Sequence, residues 1–296
     1  MLSRILICFI YIVMLTGCKS EKIVSDSTVS IKDDIGVDLK FDTRPNRIIS
    51  LAPNVTEALY SIGADSLLVG VTDFCDYPPS AKLKKSVGNY LSPDFETIIS
   101  LKPDLVIMYI TNSSGPAYKT LTDNHIKVFA SNPQDISGIK KMIADFGYLT
   151  NRKIFADSVT ALIDAEILLD DNFSKRDSAF IVISVNPLMT AGGKTFVSQV
   201  VEKAGFINIF DKLLIEYPVI SAEELLKKYP AVMIFPTDTT DLGKVNESVN
   251  ELRKSSGSAV DSARLIFVDD DIMFRPGPRI IEALRVLKNK KLQSTK

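Results

Sequence analysis

Two glutamates occupy the same place in two similar stretches of the sequence. Glu96 lies six residues after a tyrosine and seven before a proline in YLSPDFETIISLKPDLVI, and Glu223 has the same neighbours in YPVISAEELLKKYPAVMIF. The glutamates are 127 residues apart (223 − 96), and the same 127 separates the two prolines and the two tyrosines, Tyr90 and Tyr217. A carboxylate repeated at one place in a pattern indicates a pair of matched negative charges.

Both glutamates are predicted at the second position of a helix. Asp94 and Ser221 are typical helix caps, and Glu224 three residues after Ser221 completes a capping box. A glutamate in a first helical turn also interacts favourably with the helix dipole, which stabilises the helix by about 0.3–1 kcal/mol. This interaction explains the presence of each glutamate taken alone. The dipole does not require the tyrosine spacing to match, so we predict a functional role for the pair.

Other reactive residues are sparse, and we predict no catalytic residue and no metal site. The chain has one histidine, His125, and no tryptophan. Cys75 is predicted to be a small buried side chain, because a nucleophilic cysteine needs a base beside it. TAGGKT is rich in glycine but lacks the spacing of a phosphate-binding loop. An exported hydrolase remains an alternative, although no serine has an assignable histidine and aspartate.

The first residues are typical of an export signal. MLSRILICFIYIVMLTGC has an early arginine, an apolar run too short to span a bilayer as a helix, and small residues at its end. Its ending resembles the lipobox of bacterial lipoproteins, so we predict a signal peptide at 1–17 and a lipidated Cys18. A plain secretory signal is the alternative. Polar residues then predict that 18–36 is a flexible tether between lipid and folded body, so the protein would be exported and anchored to a membrane.

Bulk charge excludes a nucleic-acid partner. The formal net charge of the 296 residues is −1 and the sequence pI is about 6.0, so there is no basic field to attract a polyanion.

Short apolar strands alternate with helices on both sides of a long helical region, which predicts an α/β fold. We predict an N-terminal lobe at 37–132, a backbone helix at 133–172 and a C-terminal lobe at 173–296. Each lobe would contain a small, mostly parallel sheet flanked by helices. One long helix would join the lobes, with two shorter helices as the alternative. A ligand cleft would lie between the two lobes. Parallel sheets bind ligands at the carboxyl ends of their strands, so Tyr90 and Tyr217 are predicted cleft walls.

Several segments together resemble a known family. They are RIISLAPNVTEALYSIGADSLLVGVTDFCDYP, ETIISLKPDLVI, TAGGKTFVSQVVEKAGFINIF and FRPGPRIIEAL. Taken in order over residues 38 to 290, they resemble the periplasmic binding proteins with a single backbone helix, which deliver cobalamin, ferric siderophores or haem to ABC importers. The DYPP loop, the NIF ending and the spacing around the glutamates are most similar to the cobalamin-binding members.

The resemblance implies roles for matching positions. Glu96 and Glu223 would dock onto arginines of the two transmembrane subunits of an ABC importer. The ligand site would contain aromatic residues of the cleft loops and residues before PGPR. These are Tyr77, Tyr90, Tyr217, Phe274 and Arg275, the last to meet a phosphate or carboxylate of the ligand. Tyr90, Tyr217 and Ile272 stand where the cobalamin binder has tryptophans, so haem and a ferric siderophore remain alternative ligands.

The resemblance therefore implies a monomeric, non-enzymatic carrier with no resident cofactor. Cobalamin or a related corrinoid would be its transported ligand. Haem, with a tyrosine or His125 as axial ligand, is the alternative. A ferric siderophore is a further one, although Arg275 and Arg279 are the only obvious cleft arginines. A sensor that has lost transport is an alternative of another class.

Overall fold

The computed structural model describes residues 28–90, 92–111, 114–169 and 176–293. The predicted signal peptide, the predicted lipidation site Cys18 and residues 19–27 of the predicted tether lie outside the described residues.

The first lobe is a four-stranded parallel sheet with helices between its strands. Its strand order is β4-β3-β5-β6, and all three neighbouring pairs are parallel. The central strand β5 is buried along most of its length, as expected when helices cover both faces of a sheet. The elements are β3 (Ile48–Ser50), α1 (Pro53–Ser61), β4 (Leu68–Val71), α2 (Phe95–Ser100), β5 (Leu105–Tyr109), α3 (Gly115–Asp123) and β6 (Val128–Ser131).

The folded body begins before residue 37, which corrects the predicted extent of the tether. β1 (Val29–Lys32) and β2 (Asp38–Phe41) form an antiparallel hairpin. Val29 is 0% exposed, and the carboxylate of Asp33 accepts hydrogen bonds from the backbone N–H groups of Ile35 and Val37 at the turn. The polar composition concealed a strand whose alternate residues are apolar.

The predicted backbone helix at 133–172 is two helices, as in the alternative. α4 (Ile136–Leu149) and α5 (Lys153–Leu168) pack side by side, and the 2.6 Å ion pair between Lys140 and Asp164 shows that they run antiparallel. Asn151 has φ +57°, a left-handed conformation that ends α4. At Gly147 a Cβ would lie 2.4 Å from the Cβ of Ala156, so glycine permits the close approach of the two helices.

The second lobe repeats the first. Its parallel sheet has the order β10-β7-β11-β12, so each strand has a counterpart in the first lobe. β11 corresponds to β5, and the helices that precede them carry the two matched glutamates. The elements are β7 (Asp177–Ile181), the hairpin β8 (Ser184–Val185) and β9 (Leu188–Met189), α6 (Phe196–Lys203), β10 (Phe206–Asn208), α7 (Ala222–Lys228), β11 (Val232–Pro236), α8 (Leu242–Ser262), β12 (Arg264–Val268), α9 (Asp270–Phe274) and α10 (Ile280–Leu292).

The predicted α/β architecture of two parallel sheets flanked by helices is confirmed. One continuous apolar core includes residues of both sheets and of the α4–α5 hairpin, for example Phe129, Phe146 and Phe206. α5 packs against α1 of the first lobe and α10 of the second, so it joins the lobes through side-chain packing. Within the described residues, every helix is too short or too polar to cross a bilayer.

Candidate functional site: a cleft between the lobes and two exposed glutamates

The two glutamates occupy equivalent positions in equivalent helices. In α2 the Asp94 carboxylate accepts a hydrogen bond from the backbone N–H of Thr97 at 3.0 Å, and Glu96 is the second helical residue. In α7 the Ser221–Glu224 capping box is present, and Glu223 is again second. Both glutamates are exposed to solvent. Both helices start at the carboxyl edge of their sheet, where the preceding parallel strand ends.

The pair differs in one respect. Glu223 forms a 2.7 Å ion pair with Lys227 one turn later, whereas the equivalent position after Glu96 is Ser100. An exposed i,i+4 pair contributes only about 0.3–0.5 kcal/mol. Glu223 can therefore exchange Lys227 for another cation at little cost.

A cleft of about 460 Å³ lies between the lobes. The first lobe supplies the last residue of β5 and residues that follow β5 and β6, at the carboxyl ends of these strands. The second lobe supplies the start of α6 and the loop before α7. The lining residues are Tyr109, Ile110, Thr111, Asn132, Pro133, Gln134, Thr195, Phe196, Glu216 and Tyr217. The volume is within the usual range for small-molecule sites.

Two tyrosines, Tyr109 from the first lobe and Tyr217 from the second, line this cleft. Burial, followed by the neighbouring Tyr109 and Glu216, raises the pKa of Tyr217 to about 12. Burial and then Glu216 also raise the pKa of Tyr109. Both phenols therefore stay neutral at physiological pH and can stack against a flat ligand or donate hydrogen bonds to it. The sequence had singled out Tyr217 but missed Tyr109, which ends a strand and has no special spacing.

The other predicted aromatic residues lie outside this cleft. Tyr77 lines a second cavity of about 370 Å³ between α1 and the start of α10, and its ring lies 4.0 Å from the guanidinium carbon of Arg279. Tyr90 and Phe274 are exposed, on the loop before α2 and at the end of α9. Of the predicted ligand residues, Tyr217 alone lines the cleft between the lobes.

Arg275 binds protein carboxylates from both lobes. Its Nη1 lies 3.0 Å from Glu57 Oε1 of α1 and 2.7 Å from Asp76 Oδ1 of the first lobe. Its Nη2 lies 2.7 Å from Asp271 Oδ1 of its own lobe. The sequence predicted a ligand anion as partner of Arg275, whereas its partners in the structure are these three carboxylates. The sequence offered no signal for this cluster, since its members are up to 218 residues apart.

Glu57 is the most deeply buried acid of the cluster. Burial raises its pKa to about 7, although the hydrogen bond and charge of Arg275 and the charge of Arg279 oppose that shift. Its Oε2 atom is buried without a hydrogen-bond partner, as suits a carboxyl group that binds a proton easily. For Asp76 burial is outweighed by the hydrogen bond and charge of Arg275, so its pKa is lowered.

Three further residues and motifs from the sequence have structural explanations. The Cys75 thiol is buried and hydrogen-bonded to the hydroxyls of Thr56 and Thr72, and burial raises its pKa. His125 follows α3 with φ +59°, as a helix-end residue. In TAGGKT a Cβ at Gly193 would lie 1.9 Å from the carbonyl oxygen of Asp211, so glycine is required there for close backbone packing.

Two parallel sheets in repeated lobes, with a cleft between them at the strands' carboxyl ends, define a two-lobed ligand-binding protein. The chain belongs to the periplasmic binding protein family, whose model matches residues 48–271. Proteins of this family are exported and bind solutes.

Two relatives are similar over most of their length. The chain is 29% identical over 251 residues to a vitamin B12-binding protein of Vibrio campbellii, an alignment covering 83% of this chain and 90% of the relative. It is 28% identical over 304 residues to an uncharacterized ABC transporter substrate-binding lipoprotein of Bacillus subtilis, covering 93% and 92%.

Solved structures share the fold. The vitamin B12-binding protein BtuF of Vibrio cholerae matches with a TM-score of 0.71 at 25% identity, covering 86% of this chain and 99% of that one. A possible iron-binding periplasmic solute-binding protein of Staphylococcus epidermidis matches with a TM-score of 0.70 at 30% identity, covering 84% and 99%. Both coverages are nearly complete on the side of the solved structure, so the similarity extends over both lobes.

Proposed function

We propose that this protein is the substrate-binding lipoprotein of an ABC importer, which captures cobalamin or a related corrinoid between its lobes and delivers it to the permease. The observation that carries the importer role is the equivalence of Glu96 and Glu223. Two exposed carboxylates at the second position of equivalent helices suit a partner built from two similar subunits, each offering a basic side chain.

Cobalamin is the proposed cargo because of the relatives' names and the chemistry of the cleft. A corrinoid is a large ring system with amide side chains, and it binds through stacking and hydrogen bonds. Tyr109 and Tyr217 offer aromatic faces and neutral phenol donors, and Asn132 and Gln134 add amide groups. A ligand of that size would extend beyond the 460 Å³ of the cleft toward its mouth, where Tyr90 or Phe274 are the proposed additional contacts.

Haem is the second candidate, favoured by the two tyrosines in the cleft. A tyrosine can serve as axial ligand to haem iron, but it binds ferric iron as phenolate. The raised pKa of Tyr217, about 12, opposes ionisation until iron itself stabilises the phenolate. An anionic siderophore fits less well, since the cleft contains Glu216 and the carboxylates of the first lobe already bind Arg275.

Isothermal titration of residues 19–296 with cyanocobalamin, and then with haem, tests the cargo. Truncation at residue 37 would remove β1, so the tested chain keeps the whole hairpin. Saturable one-to-one binding of cobalamin without haem binding supports the proposal. Haem binding alone, with a tyrosinate absorption band, would make haem the proposed ligand in place of cobalamin and would leave the proposed importer role unchanged. If neither ligand binds, ferric siderophores are the next ligands to test.

Attachment to a membrane through Cys18 is part of the same proposal. Mass spectrometry of the protein extracted from the cell membrane should find a diacylglyceryl group at Cys18 and no residues before it. A soluble protein cleaved elsewhere in the first residues would leave the plain secretory alternative.

A further inference from the structure

The joining helix α5 is apolar on two faces, only one of which is covered. Ala156 and Ile163 are buried in the common core. The other face exposes five large apolar residues to solvent, and each residue is between 54% and 80% exposed. We call this set the α5 apolar face: Ile154, Phe155, Leu162, Leu168 and, directly after the helix, Leu169.

These side chains form one continuous stripe. The exposed small residues Ser158, Ala161 and Ala165 lie between them, so positions 154, 158, 161, 162, 165, 168 and 169 follow the three- and four-residue steps of a single helix face. A contiguous apolar surface of this kind marks an interaction site, whereas scattered apolar residues do not. α5 contributes no residue to the cleft or to the second cavity, so a partner on this face leaves both open.

The end of the stripe near the α4–α5 turn combines aromatic rings with cations. The guanidinium carbon of Arg44 lies 5.4 Å from the ring centre of Tyr148, and that of Arg152 lies 6.0 Å from the ring centre of Phe155. Lys153 is the first residue of α5. Aromatic and basic side chains beside an apolar helix face are typical of helices that lie in the headgroup region of a membrane.

Two acids of α5 beside the stripe already form ion pairs. Asp157 pairs with Lys153 and Asp164 pairs with Lys140, each at 2.6 Å. Near the α4–α5 turn, Arg44 and Arg152 are further cations beside the rings of Tyr148 and Phe155. Cations at this end of the stripe favour an anionic lipid surface over a second copy of the same face.

The start of the folded body lies near the α4–α5 hairpin, so a lipid anchor before it would bring the α5 apolar face close to the membrane surface. β1 packs on α4, and α4 packs on α5, so the folded body starts beside the helical hairpin. Nine residues, 19–27, separate Cys18 from the first described residue. Fully extended they span about 30 Å, so an anchor at Cys18 keeps the hairpin close to the lipid.

We propose that the α5 apolar face rests on the anionic lipid surface to which the protein is anchored, an inference that depends on the proposed lipid attachment at Cys18. The contact holds the free protein with its cleft accessible to ligand. One helix face is a weak membrane anchor by itself, so the contact is reversible and the protein can leave the surface to dock on the permease.

The absence of tryptophan from the chain gives a direct test. Phe155→Trp in the full-length protein introduces the only indole, and Leu242→Trp, at an exposed leucine of α8, is the matched control. Each protein is reconstituted in vesicles of phosphatidylethanolamine and phosphatidylglycerol with brominated acyl chains, which quench indole on contact. We expect strong quenching and a blue-shifted emission for Trp at 155, and neither for Trp at 242. Adding Ile154→Glu and Leu162→Glu should abolish the quenching without releasing the protein from the vesicles.

Other results would overturn the inference in distinguishable ways. If the protein floats with the vesicles while the indole at 155 stays unquenched, the α5 contact is refuted and the lipid anchor is supported. A blue-shifted emission without vesicles would mean that another part of the chain or a second copy covers the face. Protein that does not float would refute the lipid anchor and the inference together, whereas cobalamin binding, measured separately, would still stand.

Discussion

The guanidinium of Arg275 lies 3.0 Å from the carboxylate of Glu57. This ion pair connects the turn after α9 in the second lobe to α1, the first helix of the first lobe. The Glu57 side chain is 1% exposed, and Arg279 lies 3.6 Å from the same oxygen atom. Asn54, one turn earlier in α1, donates a hydrogen bond to the carbonyl of Pro276 at 3.2 Å. The two lobes are therefore held together by polar contacts as well as by the core around α5.

Removing the cation of this cluster should destabilise the protein strongly. Arg275→Gln leaves Glu57, Asp76 and Asp271 without their shared counter-charge, and breaking a buried ion pair costs roughly 3–5 kcal/mol. Urea unfolding at pH 8 measures the change in the free energy of unfolding. The control Lys119→Met removes an exposed pair with Asp123 and should change that free energy by less than about 1 kcal/mol. Equal effects of the two substitutions would refute the role given to Arg275.

Stability should fall with rising pH because of Glu57. Its pKa is about 7 in the folded protein and 4.5 without burial, so between these values the folded state binds a proton that the unfolded state releases. The stabilisation is complete below about pH 4.5 and is lost as the pH rises through 7. Relative to Glu57→Gln, the wild type should lose about 1–3 kcal/mol of unfolding free energy from pH 5 to pH 8. Parallel pH profiles for both proteins would contradict this assignment.

Reversing both exposed glutamates should stop uptake without weakening ligand binding. Glu96→Arg with Glu223→Arg replaces the proposed docking charges, and neither residue lines the cleft. Uptake by cells that carry the permease, together with calorimetry on the purified protein, separates the two effects. Glu247→Arg with Asp123→Arg, at exposed carboxylates of α8 and α3, is the control for the same change in net charge. Normal uptake by the double variant would favour the sensor alternative, and lost affinity would refute the docking role.

Tyr217 in the cleft should contribute measurably to ligand affinity. Tyr217→Ala removes a partly buried aromatic wall, and truncation of such an anchor costs about 1.4–2.8 kcal/mol, or roughly a 10- to 100-fold rise in Kd. Calorimetry with cyanocobalamin measures Kd, and a thermal melt checks that the variant remains folded. Leu83→Ala removes a highly exposed apolar side chain elsewhere and should leave Kd unchanged. An unaltered Kd for Tyr217→Ala would place the ligand outside this cleft.

Local sequence determined the elements whose formation depends on neighbouring residues. The alternation of apolar strands and capped helices gave both parallel sheets, and the Asp94 and Ser221 caps placed Glu96 and Glu223 at the second position of their helices. Local signals failed where two of them competed. The backbone helix was predicted to begin at residue 133, yet α4 begins after Asp135, whose carboxylate accepts a hydrogen bond from the Gly138 N–H at 2.7 Å.

Contacts between distant residues were decided only by the tertiary structure. Three- and four-residue apolar steps continue through α4 and α5, so periodicity alone could not distinguish one long helix from a hairpin that closes at Gly147 and Asn151. Tyr109 becomes a cleft residue because β5 ends opposite the loop that carries Tyr217. Arg275 binds Glu57 because the two lobes close on each other, and residues 218 apart leave no pattern in one sequence. Local propensity specifies a helix or a strand, but only packing between elements specifies which side chains share a buried site.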